Sequence, residues 1–225
     1  MKHEIKNLSP DVPMGGEGSF VIDNIQYFEI DNPNKAGEKA LLVSCVNSNA
    51  IKKEGNEDVL RIPETVIYHC KRYEVIGICG SAIGGNISIL YLPHTLRIFS
   101  GYSFCNCKVD VIKMLNDKES EYFSILNRSL IFDKSGNRLI YASTNIPIGL
   151  GEWRGTKIIG EYAFCNFKGK EITIPYSVEY VERMAFADAK NLRTVYFEEH
   201  IPCGVNISTF NLVYENICIK LIRKP

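Results

Sequence analysis

The chain has 225 residues, of which 45% are hydrophobic, and its 26 Lys and Arg are matched by 26 Asp and Glu. That is enough apolar material for one large packed domain or two small ones, and it excludes a disordered chain. Zero net charge and the lack of any long Lys/Arg run build in no attraction for nucleic acid or an anionic membrane. No apolar run approaches the roughly 20 residues that cross a bilayer.

Residues 1–18 read as a flexible N-terminal segment. Charges at Lys2, His3, Glu4 and Lys6 leave no apolar stretch of signal-peptide length there. The chain is therefore expected either to act inside the cell or to be a mature form whose leader is gone. Residues 19–58 read as an N-terminal β cap. FVIDNIQYFEI, broken at Asp23 and Asn24, is a short hairpin; Asn32-Pro33-Asn34 with Gly37 is a loop; Lys39–Val46 (KALLVSCV) is the next strand.

From Val59 the chain becomes repetitive, and residues 59–197 read as a solenoid. In VLRIPETV, strand alternation turns Leu60 and Ile62 inward and Val59 and Arg61 outward. The extra residues YHCKRY between Val66 and Tyr73 are placed in a loop. In YEVIGICGSAI, Val75 takes the position of Leu96 and Ile83 that of Phe104. The best-formed unit is ISILYLP followed by HTLRIFSGYSF. Its stretch Leu92–Phe104 (LPHTLRIFSGYSF) recurs without a gap as Ile174–Phe186 (IPYSVEYVERMAF). Leu90 and Leu92 face inward, Ile89 and Tyr91 outward, and Phe104 and Cys107 fill the interior. Val109, Ile112 and Met114 take the core positions of Leu192, Val195 and Phe197.

An insertion at about residues 120–142 interrupts the repeat. Two apolar runs flank Asp133-Lys134-Ser135-Gly136-Asn137, a hairpin signal with Gly available for a left-handed position. A third unit follows as EWRGTKIIGEYAF, with Trp153 in the place of the proline and Phe164 in the Phe slot. A fourth is KEITIPYSVEYVERMAF, with Ile172 and Ile174 inward. A fifth, NLRTVYF, runs into residues 198–225, read as a C-terminal cap whose Ile217, Ile219 and Leu221 form a last strand. An atypical segment at each end is what a solenoid needs to cover its naked terminal faces.

LRIPETV, YLPHTLRIFSGYSFCNC, IIGEYAFCN and ITIPYSVEYVERMAFADAKNLRTVYF together resemble the BspA-like (Treponema-type) leucine-rich repeat family. The resemblance implies a right-handed leucine-rich-repeat solenoid of short parallel β-strands with an irregular or short-helical convex side, a β-rich member of the α/β class. It implies a protein partner and no active site, cofactor or metal. In bacterial surface proteins, especially of Bacteroidetes, such repeats serve adhesion to host proteins or other cells. Ile83 in the Phe slot and Trp153 in the Pro slot depart from the pattern.

The residues themselves point away from catalysis. His3, His69, His94 and His200 fall in a tail and three loops, none with a second ligand at metal spacing. No nucleophile-elbow, P-loop, zinc-protease or dinucleotide motif occurs. Gly84-Gly85-Asn86 and Gly15-Gly16 are turn glycines. The eight cysteines are scattered, and most are expected to be reduced and partly buried. Cys105 and Cys165 share a repeat position and read as small turn residues. The candidate for function is the outward ladder of the strands: Arg61, Tyr91, Thr173 and Tyr196 at equivalent positions, Ile89, Glu171 and Thr194 beside them, and Lys113 extending the row. Tyrosines with an arginine are the residue types enriched at interface hot spots. Two readings stay open, an adhesion-type surface or secreted protein and an intracellular scaffold using the same face.

Overall fold

The computed structural model describes residues 18–146, 153, 155–210 and 217–223. Residues 1–17, with the expected N-terminal segment, His3 and Gly15-Gly16, lie outside them, as do parts of the third unit and of the C-terminal cap. The chain opens on β1 (Ser19–Ile22) and β2 (Ile25–Asp31), paired antiparallel with Ile22 opposite Ile25. Asp23 and Asn24 make the two-residue turn at φ 50° and 65°, the left-handed region these short polar side chains tolerate. β3 (Lys39–Val46) pairs antiparallel with β2, and Ala40, Leu41, Leu42 and Val43 are buried on both faces. It then pairs in parallel with β7 (Lys71–Ile78), which also carries β6 (Thr65–Tyr68) on its far edge.

The β6–β7 pair corrects the expected YHCKRY loop. Only His69 and Cys70 turn, at φ 48° and 61°, while Tyr68 pairs with Lys71 and Ile67 with Arg72. Histidine is among the residues enriched in this region, but Cys70 is not a usual left-handed type and costs about 1–2 kcal/mol there. The turn forms because the edge of β7 offers the extra residues a ladder of hydrogen bonds.

Two parallel ladders run through the repeats. In the first, β4 (Lys52–Glu54) folds back on β5 (Glu57–Arg61), which pairs in parallel with β8 (Gly84–Leu92) and then β9 (Asn106–Met114). Leu60, Ile62, Leu90, Leu92, Val109 and Ile112 all point into the core with no exposed surface. A proline ends the strand in both well-formed units, since it lacks the N–H to continue a ladder. The same turn follows each: Leu96 N–H donates to the Pro93 carbonyl at 3.3 Å and Val178 N–H to that of Pro175 at 3.0 Å.

The inserted hairpin is a three-stranded meander. β11 (Leu130–Asp133) and β12 (Arg138–Ala142) flank the expected turn, with Gly136 at φ 75°. A further strand, β10 (Phe123–Leu126), joins β11 through Asn127 and Arg128, again left-handed at φ 50° and 57°. β12 is stitched into the second ladder: it pairs in parallel with β13 (Ile158–Ile159), which pairs with β15 (Tyr180–Val181). The insertion does not hold the flanking coils apart. Asn166 Nδ2 donates to the Cys105 carbonyl at 2.7 Å, and a Cβ on Gly101 would stand 2.5 Å from the Glu161 carbonyl oxygen.

The last three coils place β14 (Glu171–Ile174), β16 (Thr194–Glu198) and β17 (Cys218–Ile222) side by side in parallel. Between them a single helical turn, α1 (Ile207–Phe210), delivers Phe210 to the interior. Phe164 and Phe186 stack with ring centroids 5.0 Å apart, and Phe186 and Phe210 at 5.3 Å. The repeat therefore reaches one rung further than NLRTVYF: Thr209-Phe210 is another small residue followed by Phe. Trp153, in the proline's place, is buried edge-on against Phe164 at 5.7 Å.

Replacing Phe186 by Ala removes the middle ring of this stack and is expected to cost about 3–5 kcal/mol. Urea denaturation measures it, and a near-neutral result contradicts the stack. Gly101→Ala forces a side chain onto the Glu161 backbone and is expected to cost about 1–3 kcal/mol in the same assay.

Candidate protein-binding face

The outward positions of the candidate row form two groups. Arg61, Tyr91 and Lys113 stand in register across β5, β8 and β9, with Val59, Ile89 and Val111 as the row beside them. Glu171 pairs with Thr194 and Thr173 with Tyr196 across β14 and β16. The sequence row is thus right in register within each group. Among the described residues, however, β9 and β14 are not paired, so the eight candidates occupy two sheets rather than one continuous ladder. The meander diverts the chain between them.

The tyrosines are not free-standing. The Arg61 guanidinium lies 4.5 Å from the centre of the Tyr91 ring and the Lys113 ammonium 5.6 Å from it, so the ring is bracketed by two cations. In the other group the Lys220 ammonium sits 5.5 Å from the Tyr196 ring. Each such contact is worth about 0.5–1 kcal/mol at an exposed site. Arg61 is further held by a two-point pairing with Glu54, Nη2 to Oε2 at 3.0 Å and Nη1 to Oε1. A guanidinium fixed on both sides presents a rigid donor surface.

Glu54 and Lys220 were not among the sequence candidates, yet each left a signal. Gly55-Asn56 is a two-residue hairpin turn that folds Glu54 back over β5. Lys220 lies opposite Tyr196 once the last strand is aligned with β16. Val59 corrects a second expectation. Strand alternation turns it outward, but it is only 2% exposed, because Lys52 of β4 lies opposite it and the end of the β1–β2 hairpin stands over it.

The opposite ladder has a different character. Arg138 pairs with Glu182 at 2.7 Å, Lys157 with Glu179 at 2.6 Å, and Arg183 with Glu161 at 3.2 Å. These charges neutralise one another between successive coils. Of the histidines, His69 lies in the β6–β7 turn, His94 stands 3.4 Å from Glu64, and His200 Nε2 is 3.1 Å from the Val178 carbonyl. Among the described residues no cluster of three or more His, Cys, Asp or Glu is placed to hold a metal, and no helix is long and apolar enough to cross a membrane.

All eight cysteines are free. Cys105 and Cys165 meet, as Cys165 Sγ donates to the Cys105 carbonyl at 3.3 Å, while Cys105 Sγ turns to Ser81 Oγ at 3.2 Å. Burial pushes the Cys79 thiol up to about 11 and, with Cys105 nearby, that of Cys107 up to about 12. Burial also raises Cys165 well above the ordinary thiol range.

The family profile for a BspA type leucine rich repeat region matches residues 153–216, in 6 copies. This stretch is a BspA type leucine rich repeat region. The described residues as a whole form a β-rich solenoid with few helices. It is similar to a leucine-rich repeat protein from Bacteroides ovatus at 20% identity, over 81% of this chain and 50% of that one, with a TM-score of 0.39. The chain thus spans about half the length of that relative. The pneumococcal vaccine antigen PcpA aligns at 12% identity over 92% and 88% of the two chains, TM-score 0.31. A leucine rich cell surface protein from Faecalibacterium prausnitzii aligns at 11% over 84% and 72%, TM-score 0.25. No curated protein matches the sequence. Repeat regions of this kind typically bind proteins and are generally non-enzymatic.

The raised thiols generate a pH prediction. Unfolded thiols ionise near about 8.5, whereas Cys79 and Cys107 stay protonated in the fold to about 11 and about 12. A raised folded value gives stability that is complete below the unfolded value and is lost as pH rises through the folded one. The urea midpoint is therefore expected to fall from about pH 8.5 upward, and to fall less steeply in a Cys79→Ala/Cys107→Ala variant.

Proposed function

We propose that the chain is a non-enzymatic protein-interaction module of adhesion type, acting at the surface of a host-associated bacterium or after secretion, with a host extracellular protein or another bacterial surface protein as its partner. The observation that carries this reading is the outward face of the stacked strands. Two tyrosines, Tyr91 and Tyr196, each hold a cation over the ring, and the strands beneath them are rigidly stacked. Such a face offers aromatic area already ordered before binding, so little side-chain entropy is lost when a partner covers it. The proposed location is supported by the resemblance of the repeats to those of bacterial surface proteins, and residues 153–216 match a BspA type leucine rich repeat region.

A second reading, an intracellular scaffold or regulator using the same face, is favoured by one observation. All eight thiols are free, and those of Cys70, Cys203 and Cys218 are exposed. Exposed thiols persist most readily in a reducing compartment.

A Tyr91→Ala/Tyr196→Ala variant is expected to lose at least tenfold in capture of a cross-linked partner while keeping its far-ultraviolet spectrum. Undiminished capture by the folded variant removes this face from consideration. Alkylation of the protein taken from its own cells separates the two locations: eight labelled cysteines favour the intracellular scaffold, and any linked pair favours export.

A further inference from the structure

The buried apolar residues fall into two clusters, one running from the first hairpin through the second coil to Ile140 and Tyr141, the other from Leu130 to Phe210. The outward face divides at the same place, since β9 and β14 are not paired among the described residues. In the turns that carry the Phe slots, however, the second and third coils touch directly. The Tyr102 and Tyr162 rings lie 4.7 Å apart, and Asn166 Nδ2 donates to the Cys105 carbonyl at 2.7 Å.

Cys105 and Cys165 face each other at this junction, 60 residues apart in sequence. Cys165 Sγ leans back toward the second coil and donates to the Cys105 carbonyl at 3.3 Å. Cys105 Sγ leans the same way, toward the first coil, where Ser81 Oγ is 3.2 Å away, and it also reaches Asn106 Oδ1 at 3.7 Å. Both are weak sulfur hydrogen bonds, and rotation about the Cα–Cβ bond to another staggered position gives them up. Equivalent positions on touching coils have Cα atoms about 5 Å apart, the spacing of adjacent strands, and a disulfide spans about 4.4–6.8 Å. The other thiols are placed differently. Cys107 faces the interior and donates to the Phe104 carbonyl at 3.1 Å. The exposed Cys70, Cys203 and Cys218 stand on three separate elements: the β6–β7 turn, the segment beside Tyr180, and β17.

We infer that Cys105 and Cys165 are a disulfide-forming pair whose oxidant is a small-molecule disulfide such as glutathione disulfide, and that the bond fastens the second coil to the third where core and face divide. Cys105 is half-buried and takes the first step. Its thiolate attacks one sulfur of the reagent, a bond forms between Cys105 Sγ and that sulfur, the S–S bond of the reagent breaks, and one glutathione leaves and takes up a proton. The Cys165 thiolate then attacks Cys105 Sγ, and the second glutathione leaves in the same way. Two cysteine thiols have lost two protons and two electrons, and one glutathione disulfide has become two thiols. Burial keeps Cys165 protonated at neutral pH, so the second step is the slow one and quickens as pH rises. The bond closes a loop that contains the whole meander, which restricts the unfolded chain and so stabilises the fold. The inference does not depend on the proposed binding role.

Incubating the reduced full chain with glutathione disulfide under native conditions, followed by alkylation, trypsin and mass spectrometry, tests this. The expected product joins the peptide of residues 98–108, which holds Cys105 and Cys107, to that of residues 158–168, which holds Cys165. Cys105→Ser and Cys165→Ser are expected to abolish the link and Cys107→Ser to keep it. The urea midpoint is expected to rise on oxidation of the parent and not of Cys105→Ser. Thermal unfolding checks that the variants fold; if Cys165→Ser does not, the half-buried Cys105→Ser decides alone. Glutathione adducts without the linked peptide, a link that forms only in urea, or a link that survives Cys105→Ser overturns the inference.

Discussion

The structure depends on one recurring backbone hydrogen bond. In three coils the residue in the Phe slot donates its N–H to the carbonyl of the small residue that precedes the Phe of the next coil, while the Ala163 carbonyl accepts instead from Ala142 N–H at 2.8 Å. Phe164 donates to Ala185 at 2.7 Å, Phe186 to Thr209 at 3.0 Å and Ile83 to Ser103 at 3.3 Å. The bond sets the spacing between coils, and that spacing is what lets Phe164, Phe186 and Phe210 stack face to face. It also dictates chemistry at the preceding position, where a large side chain would crowd the neighbouring backbone; Ala163, Ala185, Ser103 and Thr209 are all buried and small. A buried backbone group left without this partner would carry a penalty of about 1–3 kcal/mol per coil. The repeat is therefore held by satisfied polar groups as well as by apolar area.

With the coils locked at that spacing, the two ladders acquire different surfaces. On the β12–β13–β15 side, acids and bases alternate between coils and cancel in close ion pairs such as Arg138–Glu182, so this face contributes cohesion. On the β5–β8–β9 side, two cations lie over the Tyr91 ring, and Lys113 retains a charge with no acid to answer it among the described residues. An ion pair already formed gains little from a partner, because the partner must compete with the internal acid. A cation resting on a ring can accept a carboxylate without breaking anything. This asymmetry is the physical ground on which recognition is proposed for the first ladder.

The ends of the solenoid are treated unequally. The start of the first ladder is covered by β4, whose Lys52, Lys53 and Glu54 are all exposed. Charged residues on a short edge strand discourage further pairing. β17 at the other end carries Leu221 and Ile222 at 41% exposure, with Leu221 in register with the buried Phe197. The inward column of the ladder thus continues into a residue that the described part of the chain leaves half open.

The sequence alone determined the repeat: Leu92–Phe104 and Ile174–Phe186 share Pro, Leu or Val three residues later and Phe at the end because each position meets a fixed local demand, for a strand stop, an inward apolar residue and a core rung. Local demands are legible in one dimension, which is why Leu60, Leu90, Ile172 and Phe186 were placed correctly. The hairpin turns at Asp23-Asn24 and around Gly136 were legible for the same reason. The turn at His69-Cys70, the strand β10 and the rung at Phe210 were not, since each is made by an edge or a stack that exists only once distant coils have met. The face shows the same division. Register along each strand pair followed from alternation, but the split into two sheets, the cations over Tyr91 and Tyr196 and the burial of Val59 were decided by the tertiary structure alone. They arise where the first hairpin and the meander, whose positions no repeat specifies, pack against the coils.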